Sequence, residues 1–217
     1  MSVFALSREL IFPPVHLAEP DGLLAMGGDL STERLLLAYR SGIFPWYSGK
    51  VPLWWCPDPR FVLFPEKLRV SKSMRQVINK REFLFKTNTD FRSVIHACKT
   101  IERENQDSTW ITHEVEKAYT RLHELGYAHS AEAWLNDELV GGLYGIKMGK
   151  VFFGESMFSK VSNASKFAFI RYVGQLKKEG TCLIDCQVYT PHLESLGAEM
   201  IPRELFIQKL QELLPGD

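Results

Sequence analysis

The sequence predicts an α+β protein, with a small, loop-rich N-terminal domain over residues 1–60 and a second domain, built on a sheet, over residues 61–217. Two observations predict this division. Seven of the 11 prolines lie in residues 1–60, and proline fixes φ and removes a backbone donor, so regular elements are short where it is frequent. After residue 60 the apolar pattern alternates between the periods of strands and helices, over a length typical of one domain.

The first domain has one clearly predicted helix. Ser31 can act as its N-cap and Glu33 lies in its first turn. Leu35 and Leu36 continue the apolar pattern, and Gly42 is the predicted stop.

The second domain is predicted from caps, periodicity and turns. Ser71, Asp90 and Thr112 are each followed by apolar residues at helical spacing, so each is predicted to cap a helix. Helices, a strand meander and a further strand together indicate an α+β sheet domain. The predicted elements in chain order are a strand at 61–64, a helix from Ser71 to Lys80, a strand at 83–86, a helix from Asp90 to Lys99, a helix from Thr112 that stops at Gly126, strands at 127–135, 138–147 and 151–156, a helix opened by Ser162 or Asn163 and closed by Gly180, a strand at 182–188, and a final helix with Pro202 as its first residue.

Composition excludes several classes of protein. Twenty-six basic side chains balance 26 acidic ones, which excludes a wholly basic nucleic-acid coat. No apolar run approaches the roughly 18 residues of a membrane span. The N-terminal segment has no small-residue cleavage site of a secretory signal. The predicted location is therefore the cytoplasm, with no membrane partner.

Neither a metal nor a cofactor is expected. The four cysteines include no C-x-x-C pair and the six histidines no H-E-x-x-H cluster, so a zinc site and a disulfide framework both lack support. The glycines of residues 141–154 are spread over two predicted strands rather than gathered before a helix, so phosphate-loop and dinucleotide fingerprints fail. The sequence has no G-x-S-x-G motif, and covalent catalysis has no support.

Basic residues are concentrated in two blocks. Residues 66–86 carry seven basic and two acidic side chains, and residues 147–178 carry seven basic side chains against Glu155 alone. A charge run is usually a solvated face. Two such blocks in a chain with clustered tryptophans nevertheless favour a nucleic-acid partner.

Two carboxylates lie in apolar, strand-like sequence, Asp185 in CLIDCQV and Glu155 in FFGESMF. An isolated carboxylate there is costly unless it is paired, so each is either a satisfied structural acid or a functional one. Strand alternation places Gln187 on the same face as Asp185, about 6–7 Å along the strand, which would suit a positioned proton acceptor. For Glu155 the structural alternative is an ion pair with Lys160 or Lys166.

The tryptophans are candidates for the core or for stacking. Trp46 lies in a Pro-Trp-Tyr turn and Trp110 follows a polar loop, so both are predicted to be exposed. An exposed indole can stack on a nucleobase for about 1–3 kcal/mol. Trp54 and Trp55 point opposite ways in a strand, so one of them is predicted to be buried.

Ten strings, in order along the chain, resemble one family, the leucyl/phenylalanyl-tRNA–protein transferases. Each string is weak alone, but ten in register are highly specific, and they span both predicted domains from residue 19 to about residue 206. The strings are EPDGLLAMGGDLS (19–31), GIFPWY (42–47), LWWCPDPR (53–60), TWIT (109–112), HELGYAHSAE (123–132), GGLYG (141–145), FFGESMFS (152–159), NASK (163–166), LIDCQV (183–188) and SLGAEMIPR (195–203).

The resemblance implies transfer of Leu or Phe, with Met as a further candidate, from aminoacyl-tRNA to the α-amino group of proteins that begin with Arg or Lys. This would mark those proteins for N-terminal-rule degradation. The implied partners are the charged tRNA and the acceptor protein. No cofactor is expected, because aminolysis of an ester is downhill. A monomer is expected, although no sequence feature indicates the oligomeric state.

The resemblance also implies a C-terminal domain with the N-acetyltransferase (acyl-CoA N-acyltransferase) fold. The acetyl-CoA loop, [RQ]-x-x-G-x-[GA], is missing, and its nearest match, Arg171 to Leu176, falls in a predicted helix and ends in Leu. An ordinary acetyltransferase is therefore disfavoured.

Site residues follow from the same resemblance. Asp185 would draw the proton from the attacking amine, directly or through Gln187, and Glu155 would help hold the reacting groups. The pocket positions also have buried periodicity, so ordinary core is the alternative interpretation of each. The implied positions are Leu143, Phe152, Met157, Phe169, Tyr172 and Ile184 for the aminoacyl side-chain pocket, Trp46 and Trp110 for the tRNA 3′ adenosine, and Lys72, Arg75, Lys80 and Arg81 for the acceptor stem.

Two other functions stay open. One is a related aminoacyl-tRNA-dependent transferase with a different acceptor, such as a cell-wall peptide or an acidic N-terminus. The other is a non-catalytic tRNA-binding module. The polar residues in apolar strands argue against it, because a protein that only binds tRNA has no need of them.

Overall fold

The computed structural model describes residues 3–101 and 109–215. Within these ranges the chain forms two sheets and seven α-helices. The predicted α+β class is confirmed.

The N-terminal part forms a small mixed sheet with one helix. Helix α1 (Thr32–Arg40) begins at the predicted cap, where the Ser31 hydroxyl accepts from the Arg34 amide at 3.3 Å. The strands have two to five residues, too few for a sequence period to reveal them. In the order in which they lie, they are β1 (Phe4–Leu6), β2 (Leu23–Gly27), β4 (Leu53–Trp55) and β3 (Phe44–Pro45).

The remaining strands form one seven-stranded sheet. In chain order they are β5 (Arg60–Leu63), β6 (Leu84–Thr87), β7 (Ala128–Leu135), β8 (Glu138–Met148), β9 (Val151–Ser159), β10 (Leu183–Gln187) and β11 (Glu199–Ile201). Across the sheet the order is β11-β5-β10-β9-β8-β7-β6. All neighbours are antiparallel except β9 and β10, which are parallel.

Six helices accompany this sheet, and side-chain caps explain where four of them begin; in one, the Thr190 hydroxyl accepts the Leu193 amide at the start of Pro191–Ser195. The side chains of Ser71, Asp90 and Thr112 each accept a backbone amide, as predicted. Pro202 is the N-cap of the last helix rather than its first residue. The helices are α2 (Lys72–Lys80), α3 (Phe91–Thr100), α4 (His113–Glu124), α5 (Ala164–Lys178), α6 (Pro191–Ser195) and α7 (Arg203–Leu213). Helix α6 and strand β11, with five and three residues, were not predicted because they are too short for a period.

The large sheet is covered on both faces. Residues of α1, α3, α4 and α7 form one hydrophobic cluster on one face, and residues of α2 and α5 form a second cluster on the other. Strand alternation divides neighbours between them: Phe153 belongs to the first cluster and Phe152 to the second. The first cluster also contains the core of the N-terminal sheet. The boundary predicted at residue 60 stays a prediction, since one core spans it.

The structure decides the predictions for the tryptophans. Trp54 is fully buried and Trp55 half-buried, so the prediction that one of the pair is buried is confirmed. Trp46 is exposed, as predicted, at 42%. The prediction for Trp110 is wrong: its side chain is 8% exposed and packs edge-on to Tyr119. The residues before it in sequence are polar, but the tertiary fold packs Trp110 against α4.

No helix among the described residues is long and apolar enough to cross a bilayer. Within the same ranges, no three His, Cys, Asp or Glu side chains are grouped so that they could hold a metal ion.

Candidate active site

A cavity of about 490 Å³ opens where β9 and β10 stop pairing. Their parallel register ends at Asp185 and Phe153. In the next residues β10 shifts its register against β5, and Gln187 adopts a left-handed conformation with φ of 63°. The two strands therefore separate, and Glu155 and Gln187 face the space between them.

Asp185 is held by Arg60 deep in the core. Arg60 Nε donates to Asp185 Oδ1 at 2.8 Å and Nη2 donates to Oδ2 at 2.7 Å, and both residues are at most 1% exposed. The guanidinium also lies between the rings of Phe44 and Phe206, 4.7 and 4.6 Å from their centroids. Sequence reasoning missed Arg60, although an arginine that begins an apolar strand is the expected partner of an isolated acid in another.

Gln187 bridges the two candidate acids. Its backbone amide donates to Asp185 Oδ1 at 2.9 Å, and its side-chain Nε2 donates to Glu155 Oε1 at 3.0 Å. The predicted proximity of Gln187 to Asp185 thus comes from a bulge rather than from regular alternation. Within residues 3–101 and 109–215 no donor bonds the side-chain oxygen of Gln187, which can therefore accept a hydrogen bond in the cavity.

Glu155 also receives a hydrogen bond from a tyrosine. Tyr119 Oη donates to Glu155 Oε2 at 3.0 Å, and the Tyr39 hydroxyl hydrogen-bonds the Tyr119 hydroxyl. Burial raises the pKa of Glu155 to about 7, while the hydroxyls of Tyr39 and Tyr119 and the side-chain amide of Gln187 act in the opposite direction. The acid therefore titrates near neutral pH. In the described part of the chain it bonds Tyr119 and Gln187 rather than Lys160 or Lys166, the predicted alternative.

Four of the six predicted pocket residues line the cavity, and two lie behind it. Phe152 and Tyr172 are buried in the same cluster and contact each other edge-to-face at 5.1 Å, but they are not part of the wall. The wall residues from the predicted set are Leu143, Met157, Phe169 and Ile184.

The two predicted adenosine-binding tryptophans also line this cavity. Trp46 comes from the N-terminal part and packs against Trp55 with ring centroids 5.8 Å apart. Trp110 precedes α4 and contributes a buried face to the wall. The structure thus brings aromatic, apolar and carboxylate side chains to one space.

The predicted acceptor-stem residues lie elsewhere. Lys72, Arg75 and Lys80 are exposed on α2, and Arg81 is exposed at its C-cap. None of them lines the cavity. These four exposed residues, on α2 and at its C-cap, are called the basic stripe below.

Helix α6 closes one side of the cavity with residues that sequence reasoning missed. Thr190, His192 and Leu193 line it, together with Ser165 from the first turn of α5. Burial and the nearby charge of Lys166 lower the pKa of His192, so its imidazole is neutral at neutral pH. No helical period marks so short an element in sequence.

Comparison with known proteins gives a consistent picture. The family model described as leucyl/phenylalanyl-tRNA protein transferase matches residues 62–211, and the model for the N-terminal domain of the same family matches residues 28–58. A leucyl/phenylalanyl-tRNA–protein transferase of Syntrophobacter fumaroxidans is 56% identical over 99% of this chain and 92% of its own length. One of Flavobacterium johnsoniae is 55% identical over 96% of this chain and 99% of its own.

Likeness among solved structures is weaker. A GCN5-related N-acetyltransferase from Kribbella flavida matches with a TM-score of 0.40 and 11% identity, over 77% of this chain and 59% of that one.

Proposed function

The chain belongs to the leucyl/phenylalanyl-tRNA–protein transferase family, whose members transfer an aminoacyl group from tRNA to protein, and on this premise we propose its donors, acceptors and catalytic residues. The donors are tRNAs charged with Leu or Phe, with Met as a third candidate. The acceptors are proteins with N-terminal Arg or Lys, which the transfer marks for degradation in the cytoplasm, where charged tRNA is found.

One observation carries this proposal: a Gln187-bridged pair of carboxylates faces the same cavity as an apolar wall and two tryptophans. The donor side chain would occupy the apolar wall. The terminal adenosine of the tRNA would stack against Trp46 and Trp110, which places the ester between them and the carboxylates. A cationic acceptor side chain would also be favoured by the nearby acids.

The reaction needs proximity, proton removal and stabilisation of an oxyanion. The acceptor amine has a pKa of about 7.7–8.0, so an appreciable fraction is neutral near neutral pH. Its nitrogen attacks the ester carbonyl carbon to form the new C–N bond. Collapse of the tetrahedral intermediate breaks the bond from that carbon to the ribose oxygen, and the proton lost by the amine balances the proton gained by the ribose hydroxyl.

The contacts support separate roles for the three polar residues. The Gln187 amide oxygen accepts from the amine and orients it. Direct proton removal by Asp185 would disrupt its bonds to Arg60. The geometry therefore favours an indirect role, in which Asp185 acts on the amine by holding Gln187 in place. Glu155 adjoins Gln187 and titrates near neutral pH, which suits it to take up the proton and return it to the leaving oxygen.

The test is transfer of labelled Phe or Leu from charged tRNA to three peptides. One begins with a free Arg, one begins with Asp, and one is the Arg peptide with an acetylated N-terminus. Transfer only to the free Arg peptide supports the donor, the acceptor rule and the reaction together. Transfer to the Asp peptide instead would indicate a related transferase with another acceptor, and no transfer with charged tRNA bound would indicate a binding module.

A further inference from the structure

Two tyrosine hydroxyls lie in series behind the Glu155 carboxylate, on the side opposite Gln187. Tyr119 Oη donates to Glu155 Oε2 at 3.0 Å, while Gln187 holds Oε1. A hydroxyl has one proton, so Tyr119, having donated it to Glu155, must accept in its contact with Tyr39. The order of donation is therefore Tyr39 to Tyr119 to Glu155.

The two tyrosines belong to different parts of the chain and are rigidly packed. Tyr39 lies on α1 of the N-terminal part and Tyr119 on α4, and both are at most 1% exposed. The Tyr39 ring contacts Phe153 at 5.1 Å, and the Tyr119 ring is edge-on to Tyr144 at 5.7 Å. Neither hydroxyl can turn to water, so each must be satisfied inside the protein.

Mutual satisfaction of the two hydroxyls does not account for the arrangement. Two hydroxyls have two protons, and one bond between them uses only one, so the pair requires an outside acceptor. Phenylalanine at both positions would fill the same apolar core without a polar group to satisfy. The acceptor that the structure supplies is the carboxylate that faces the cavity.

We propose that Tyr39 and Tyr119 are positioning residues, through which helix α1 of the N-terminal part fixes the Glu155 carboxylate at the active-site cavity. This inference rests on the proposed function, in which Glu155 takes part in proton transfer. It gives the N-terminal part a role in catalysis beyond the wall that Trp46 contributes.

The surroundings of Glu155 determine how the pair can be detected. Tyrosine and glutamine donors favour the ionised carboxylate, while burial and the Asp185 charge favour the protonated form. Loss of a tyrosine donor is therefore expected to raise the pKa of Glu155. The polar and charged groups that face it are Tyr39 on α1, Tyr119 on α4, Asp185 and Gln187 on β10, and Arg60 on β5.

The experiment compares Tyr119→Phe and Tyr39→Phe with the wild-type protein, and Tyr127→Phe is the control. Tyr127 is a half-buried tyrosine packed against the same cluster, and it takes no part in this hydroxyl chain. The first readout is a 13C NMR titration of the Glu155 carboxylate, assigned by its absence in Glu155→Gln. The second is the pH profile of aminoacyl transfer.

We expect Tyr119→Phe to raise the Glu155 pKa by about one unit, which lowers transfer about tenfold at pH 6 and about twofold at pH 8. Tyr39→Phe shifts both readouts in the same direction, and Tyr127→Phe shifts neither. An unchanged Glu155 titration in Tyr119→Phe, with transfer reduced equally at every pH, would overturn the proposal. If the wild type transfers to no peptide, the proposed function fails instead, and the NMR titration still decides the role of the tyrosines.

Discussion

Arg60 and Asp185 form a doubly hydrogen-bonded ion pair inside the core, 125 residues apart in sequence. Arg60 begins β5 and Asp185 lies on β10, the neighbouring strand of the large sheet. The same Asp185 oxygen that accepts from Arg60 Nε also accepts the backbone amide of Gln187. The pair therefore holds the bulge from which Gln187 reaches the cavity.

Removing one partner of this pair should destabilise the fold. Arg60→Met is expected to lower the free energy of unfolding by about 3–5 kcal/mol, because it leaves Asp185 without its counter-charge in the core. The double variant Arg60→Met with Asp185→Leu should recover most of that loss, since neither charge is then buried. Denaturant unfolding of both variants checks this, and additive losses in the double variant would contradict it.

Asp185→Asn should separate catalysis from tRNA binding. The proposed role of Asp185 acts on the reacting amine through Gln187, so transfer is expected to fall about 100-fold or more. Affinity for charged tRNA should stay close to that of the wild type, because phosphate contacts dominate such binding. The two quantities are measured by single-turnover transfer and by filter binding at a temperature where circular dichroism shows the variant folded. Comparable turnover would refute the assignment.

Gln187→Asn tests the bridge without disturbing the backbone. Asn tolerates the left-handed conformation at this position, and its backbone amide can still donate to Asp185. Its side chain is one methylene too short to keep the 3.0 Å contact with Glu155. Transfer should fall by about 10–100-fold with little change in melting temperature. Gln208→Asn, on the exposed surface of α7, is the matched control and should leave transfer unchanged.

Glu155 should make stability depend on pH. Its folded pKa, about 7, lies above the ordinary value of 4.5. Between these values the folded protein binds the proton and the unfolded chain does not, so this group's contribution to stability is lost as pH rises toward 7. Relative to wild type, Glu155→Gln should therefore gain about 1–3 kcal/mol in the free energy of unfolding between pH 5 and pH 8. Urea unfolding at the two pH values measures the gain, and parallel behaviour of both proteins would exclude it.

The basic stripe on α2 should govern the salt dependence of tRNA binding. Replacing Lys72, Arg75 and Lys80 with Gln is expected to weaken affinity and to reduce the slope of log K against log salt by about 0.7–0.9 for each tRNA phosphate that the variant no longer neutralises. Lys117→Gln with Arg121→Gln, which changes exposed residues of α4, is the control. Affinities between low and moderate salt provide the slope. A wild-type affinity that is flat over this range would refute the proposed role of α2.

Several elements could be predicted because their causes are local in sequence. Ser71, Asp90 and Thr112 cap helices with hydrogen bonds to the third residue after them, so four consecutive residues contain the whole signal. The meander of β7 and β8 is similarly predicted by two alternating runs and one turn at Asn136-Asp137. The strands of the N-terminal sheet are too short for an alternating run. Helix α6 is capped by Thr190 but is too short for an apolar period.

The candidate site divides in the same way. Because Asp185 and Glu155 lie in apolar strands, the sequence predicted that each acid needs a partner. The resemblance to the transferase family implied the other residues of the site. Sequence alone could not identify the partners. Arg60, Tyr39 and Tyr119 come from three distant segments. Only the tertiary fold brings Arg60 to Asp185, Tyr119 to Glu155, and Tyr39 to Tyr119.

By itself, the sequence determined the fold class, four of the helix caps, the basic helix and the two acids in apolar strands, because each of these depends on neighbouring residues or on composition. Tertiary structure alone decided that Trp110 is buried, that Phe152 and Tyr172 lie behind the cavity wall, and that Asp185 pairs with Arg60 while Glu155 bonds Tyr119. Burial and pairing depend on what distant segments place around a side chain, and burial raises the pKa of Glu155 to about 7.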